Sequence, residues 1–223
     1  MPKGPIPLKS LPRKLIRRFV KYGLDAGELG GGFEDGRKRC SINQVPEAAK
    51  PFMEYRDESY KAVWSNELLN RLVYLASKDA DISPSDYPGS ALQFYAAFQS
   101  HPIEGQDILV VGSISPWVEA IALSRGASSV TTTDYARITC ESDQIRLIAP
   151  REVFNRSDAF DAVCSFSSIE HDGLGRYGDR LNPAGDFETM ARLRNCLKND
   201  GRFYLGIPIG LGVIVGNFHR IYG

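Results

Sequence analysis

The chain has 223 residues, 43% of them hydrophobic and 24% charged, with 27 Lys plus Arg matching 27 Asp plus Glu. That length and composition fit one sizeable folded domain with an appendage, and the balanced charge excludes a chain drawn as a whole to nucleic acid or to a membrane. Four scattered cysteines (Cys40, Cys140, Cys164 and Cys196) form no Cys-x-x-Cys pair, so the sequence predicts neither a zinc site nor a disulfide framework, and a reducing, cytoplasmic setting.

The start is locally basic. Lys3, Lys9, Arg13, Lys14, Arg17, Arg18 and Lys21 all precede the first acid, Asp25, and Leu11, Leu15, Ile16, Phe19 and Val20 share the stretch at near-helical spacing. This reads as an amphipathic helix, either packed on the domain or making a peripheral contact with anionic lipid or a protein partner. Prolines occupy the place of a signal peptide's apolar core. Residues 23–51 are glycine-rich and charged, a linker by composition. Residues 52–78 carry Tyr60, Val63, Trp64, Leu68, Leu69, Leu72, Val73 and Leu75 at three- and four-residue steps, which predicts a helix. Turn formers fill 79–90, and "ALQFYAAFQ" predicts another short helix. Residues 1–100 therefore read as a helical lead-in without a strand.

At Asp107 the pattern changes, and 101–223 reads as an α/β domain. "DILVV" is a short buried strand ending at Gly112, and Pro116 opens a helix through "WVEAIALSRGA". "SVTTT" is a strand ending at Asp134, "IRLI" (145–148) a weaker one, and "FDAVCSF" (160–166) a buried one. Asp186 is placed to cap a helix carrying Phe187, Met190, Leu193 and Leu197, closed by Gly201, and "RFYLGIPIG" is a last strand. Alternating strands and helices argue for a parallel sheet with right-handed crossovers.

Such sheets bind ligands beyond the carboxyl ends of their strands, where strand order reverses. Three places qualify. At Gly112 the backbone can approach a ligand beside a helix N-terminus. Asp134 follows about 20 residues later, the spacing of a carboxylate that accepts ribose hydroxyls. The third is "SIEHDGLGRYGDRLNP" (168–183), where His171 can exchange a proton near neutral pH, and Glu170 and Asp179 can orient it or act as bases. There Arg176 can fork onto an anion, and Gly173, Gly175 and Gly178 let the loop fold over a ligand. The plainer alternatives are a cap or turn at Asp134 and a polar loop bonded to itself at 168–183. His101, before a proline, reads as structural; His219 stays ambiguous.

The loop "GSISP" lacks a P-loop lysine and holds Ile114 and Pro116 where a dinucleotide fingerprint has glycines. A triphosphate and a dinucleotide are both disfavoured, which leaves an adenosine ligand without phosphates, such as S-adenosylmethionine.

Together "VVGSISPWVEAIALSRGASSVTTTDY", "FDAVCSFSSIEHDGLGRYGDRLNPAGD" and "FYLGIPIG" with "NFHRIYG" resemble a Caenorhabditis-type family of unknown function, itself related to class I S-adenosylmethionine-dependent methyltransferases. The resemblance spans 105–223. It implies a Rossmann-like sheet behind a helical N-terminal segment, with Gly112, Ser113 and Ile114 at the cofactor, Asp134 and Tyr135 at its ribose end, and Ser165 and Ser167 beside its methionine part. A sheet of that class has seven strands. "RFYLGI" would be only the fifth, so the sheet lacks its last strands and closing hairpin or continues in a longer chain.

Methyl transfer to a small polar, sugar-like acceptor is the first expectation, with His171 or Glu170 taking the acceptor proton. An inactive, partner-binding relative is the second, and an enzyme that holds another nucleotide at Asp134 the third.

Overall fold

A computed structural model describes residues 61–177, 179–215 and 218–223. The basic N-terminal helix, the linker and the first part of the helix expected over 52–78 lie outside the described residues.

The central sheet has five parallel strands, β2 (Asp107–Val111), β3 (Ser129–Thr133), β5 (Ile145–Leu147), β6 (Phe160–Phe166) and β7 (Leu197–Gly206), in the order β5-β3-β2-β6-β7. Chain order thus reverses between β2 and β6, the doubly wound Rossmann arrangement that the alternation predicted. Each buried strand serves both faces. Ile108 and Val110 point into a core shared with α1 (Asn66–Ala76), α2 (Ser90–Ser100) and α3 (Trp117–Ser124), while Leu109 points to the other side. There it meets Val163, Val153 of α4 (Pro150–Val153) and Leu193 and Cys196 of α5 (Gly185–Cys196).

The lead-in is fastened to this unit. Phe94 meets Trp117 edge-on at 5.4 Å, and Phe98 meets Tyr204 at 5.0 Å, so residues on both sides of position 100 share one core. The Tyr204 hydroxyl donates to the His101 carbonyl at 3.1 Å, which gives that turn its structural role.

Three expectations need correction. Lys61–Trp64 is a strand, β1, paired in parallel with an unforeseen β4 (Arg137–Cys140). The helix starts only at Asn66, because the Ser65 hydroxyl accepts the Leu68 amide at 3.1 Å and caps it. Asp186 is no cap: it lies inside the first turn of α5, fully buried. That helix stops at Cys196, because Leu197 already pairs with Phe160 and begins β7. Beyond the fifth strand of the main sheet, β8 (Val213–Val215) and β9 (His219–Ile221) form an antiparallel hairpin that does not join it, so among the described residues that sheet lacks its last strands, as expected.

Candidate functional site

Two loops leave the carboxyl ends of β2 and β6 and meet at the reversal point. Gly112 adopts φ +73°, and a Cβ there would lie 2.0 Å from Ser168 Oγ, so glycine is required by the approach of the second loop to the first. The Ser113 amide donates to Asp134 at 2.7 Å, and the Ala136 amide donates to its other oxygen at 2.6 Å. Asp134 thus ties the loop after β2 to the loop after β3. Burial raises its pKa against the pull of those amides. Each oxygen keeps a second lone pair, so the two amides do not exhaust it.

Beneath this loop lies a residue the motifs did not mark. Glu119, in α3, is fully buried and accepts from Ser113 Oγ at 2.9 Å and from Thr132 Oγ1 at 2.8 Å. Burial pushes its carboxyl up to about 7. Its signal in the sequence was a lone acid in the apolar run "WVEAIA", which has no aqueous face to offer it.

Val111 sits in one row between Thr133 on β3 and Ser165 on β6. Both flanking hydroxyls are buried, and neither has a hydrogen-bond partner among the described residues. Residues in one row point to the same face of a sheet, here the face that carries α5. Buried hydroxyls are normally satisfied, so this pair at the reversal point is what a polar ligand would complete. Ile114 (46% exposed) and Tyr135 (56%) stand open beside it. A nucleoside without phosphates fits this set: orphaned hydroxyls, a carboxylate with free lone pairs and two open apolar side chains.

The loop after β6 begins with Ser167 at φ +48°, a conformation that costs a non-glycine residue about 1–3 kcal/mol. Its hydroxyl lies 2.9 Å from that of Tyr87, another residue the motifs missed. Glu170 and His171 follow in a single 3-10 turn, Ile169–His171. Glu170 is 0% exposed, and neither carboxyl oxygen has a partner in good hydrogen-bond geometry, although the Ser167 hydroxyl and Ser168 amide lean toward it. Burial lifts it to about 7.

His171 is also buried, which lowers it to about 4, with Arg176 and His219 adding to the effect. Its Nδ1 faces the Phe218 carbonyl, so Nδ1 carries the proton and donates. The Arg176 contact with that nitrogen, at 3.3 Å, is then no hydrogen bond; the same guanidinium nitrogen donates to Phe218 O, also at 3.3 Å. The remaining lone pair, on Nε2, faces Glu170 Oε1 at 3.8 Å. Glu170 and His171 form a buried acid–base pair, in which burial holds the imidazole neutral and puts the carboxyl at about 7.

Several of the other ionisable groups of the stretch serve the fold. Asp179 accepts the amides of Gly173 (2.7 Å), Gly175 (3.2 Å) and Tyr177 (3.3 Å), which orders the loop. Arg176 stacks its guanidinium 3.8 Å from the centre of the Phe218 ring. Gly173 packs so tightly that a Cβ would lie 2.0 Å from the Asn182 carbonyl. Arg220 of β9 donates to the carbonyls of Glu170 (3.2 Å) and Asp172 (2.6 Å) and pairs with Asp186 at 3.5 Å. Tyr222 donates to the same carboxylate at 2.8 Å. The segment "HRIYG" is therefore a strap across the stretch it resembles in specificity. His219 lies within it, buried, its Nε2 without a partner.

Among the described residues no group of three or more His, Cys, Asp or Glu is arranged to hold a metal, and no helix is long and apolar enough to cross a membrane.

The chain belongs to the family described as Caenorhabditis protein of unknown function, DUF268, whose model matches residues 105–223. No curated protein matches it in sequence. Among solved structures it is similar to a chain of the Haloferax volcanii complex between the Trm112 methyltransferase activator and a protein described as a methyltransferase, with 17% identity, TM-score 0.38 and 52% of each chain covered. A Methanococcus maripaludis protein described as an S-adenosyl-L-methionine-dependent methyltransferase gives 14% identity and TM-score 0.36, over 78% of this chain and 67% of that one. Shikimate dehydrogenase 1 of Peptoclostridium difficile gives 10% identity and TM-score 0.31, over 59% and 54%. The chain thus spans about half the length of the first of these structures. The likenesses are weak and carry no argument about chemistry.

Proposed function

We propose that the chain is an S-adenosylmethionine-dependent methyltransferase acting on a small polar acceptor, with a hydroxylated, sugar-like molecule as the class. One observation carries the reading: Asp134 and the orphaned hydroxyls of Thr133 and Ser165 converge beside Gly112, where the order of a parallel sheet reverses.

In this reading Asp134, braced by the Ser113 amide, holds the ribose, and Ile114 and Tyr135 flank the adenine. Ser165 and Ser167 lie along the methionine part. The cofactor would supply a methyl group on a positively charged sulfur, whose charge disappears on transfer. The acceptor must then release one proton, and Glu170, with His171 behind it, is the group to take it. A carboxyl held at about 7 is matched to that task near neutral pH.

The test is a calorimetric titration of S-adenosylhomocysteine into the full chain, with Asp134→Ala as the control. Binding that the substitution removes is the expected result. No binding by a demonstrably folded chain sinks the proposal.

A second reading, a non-catalytic partner-binding relative, has its own support: Asp179, Arg220 and Asp186 are all engaged in holding the fold. The same titration separates the two.

A further inference from the structure

We propose that Ser167 and Tyr87 form the path by which a proton moves between buried Glu170 and solvent. The path rests on the transfer reading above only for its purpose; its geometry is independent of any cofactor.

Glu170 is 0% exposed, and neither of its oxygens has a settled partner. A carboxyl so enclosed cannot trade protons with water directly, and a proton it takes up must leave before it can act again. Among its neighbours, His171 leads inward: that ring is buried and committed through Nδ1 to the Phe218 carbonyl. Ser167 leads outward. Its hydroxyl lies 2.9 Å from Tyr87 Oη and leans toward the Glu170 carboxyl, short of a well-formed hydrogen bond, so that a small rotation would complete the link. Tyr87 is 37% exposed, so the chain of hydroxyls reaches water. A hydroxyl both donates and accepts, which is what each link of such a path requires.

The strained backbone at Ser167 fits the same purpose. At the end of β6 Ser167 keeps a left-handed φ of +48° with its hydroxyl at Tyr87, and a glycine there would relieve the strain but lose the hydroxyl. Tyr87 lies outside the family's matched residues 105–223, so the lead-in completes a path that the α/β unit begins.

The balance is simple. As the acceptor oxygen gains its methyl group, its O–H bond breaks and the proton passes to Ser167 Oγ, while Ser167 hands its own proton to a Glu170 carboxylate oxygen. The electron pair of the broken sulfur–methyl bond stays on sulfur. Afterwards the Glu170 proton returns through Ser167 and Tyr87 to water.

The experiment is an infrared pH jump on the full chain, following the carbonyl band of the protonated carboxyl. Its assignment comes from its loss in Glu170→Gln, which also separates it from Glu119. Tyr87→Phe and Ser167→Gly are expected to slow deprotonation by about tenfold or more. A merely structural role would change stability or the titration midpoint and leave the rate alone. An unchanged rate in either variant, or a Glu170 band that does not titrate between roughly pH 5 and 9, overturns the proposal. Should Ser167→Gly not fold, Tyr87→Phe on the exposed rim decides alone. Because no cofactor or acceptor is used, failure here leaves the S-adenosylhomocysteine titration untouched, and failure of that titration leaves this result standing.

Discussion

The loop after β2 and the loop after β6 meet within a side chain's breadth, yet they solve opposite problems. The first is short, opens on glycine, and is held by two carboxylates, Asp134 and Glu119, and one brace, the Trp64 indole donating to the Ile114 carbonyl at 2.9 Å. It leaves orphaned hydroxyls and open apolar side chains around itself. The second is long and rich in charge; Asp179 turns back onto the loop's own amides, and Arg220 of β9 ties down its carbonyls. A dense set of ionisable residues is therefore poor evidence of catalysis by itself. What distinguishes Glu170, in the same stretch, is that no described residue meets its carboxyl oxygens in good hydrogen-bond geometry.

The largest effect should come from cutting the strap. Arg220→Met leaves Asp186 buried with the Tyr222 hydroxyl but no cation, and removing one member of a buried ion pair costs about 3–5 kcal/mol. Urea unfolding should show that loss. A cost near zero would mean the second loop is not held by β9, and the contrast drawn above would fail. Next in size is Asp134→Ala, which strips the acceptor from two loop amides. A loss of about 1–3 kcal/mol is expected, along with loss of S-adenosylhomocysteine binding. Loss of binding with full stability would make Asp134 a ligand residue alone.

The strap also shows where sequence reasoning stopped. "DILVV" and "FDAVCSF" were legible as strands because burial on both faces demands a continuous apolar run. Asp186 was misread because an acid before an apolar helical stripe looks the same whether it caps the helix or pairs with an arginine far along the chain. Only the fold brings Arg220 to it. The strand Lys61–Trp64 was hidden for a similar reason. Four residues carry too little period, and their partner lies at Arg137–Cys140. Of the site itself, Gly112, Asp134 and Glu170 were legible from strand ends and spacing. Tyr87 was not, since nothing local ties it to Ser167.

A smaller effect, and a sharper one, lies in the pH dependence of stability. Glu170 and Glu119 are both raised to about 7 in the folded chain, above the unfolded value of about 4.3. Between those limits the folded state holds more protons, so both residues make stability fall as pH rises toward 7. His171 is lowered to about 4, so over roughly pH 4–6.5 the unfolded state holds its proton and stability rises with pH. The two trends oppose each other in the wild-type chain. Glu170→Gln should therefore make the slope of stability against pH more positive between roughly pH 4.3 and 7, as read from urea midpoints across pH. Glu119→Gln should do the same from beneath the first loop. Equal slopes in the Glu170→Gln variant and the wild-type chain would mean that Glu170 is ionised throughout.

The smallest expected effect tests the brace. Trp64→Phe keeps the ring in the core and removes only the indole N–H, a loss of about 1 kcal/mol. If the first loop depends on the lead-in, that loss should be local: amide exchange should quicken at Ser115 and Trp117, next to the released Ile114 carbonyl, and stay unchanged at Gly173 and Gly175, which answer to Asp179. Exchange that quickens equally in both loops would show that they open together as one unit. The site would then be gated by the whole reversal point, and the lead-in would act on Glu170 through the fold as well as through the Tyr87 hydroxyl.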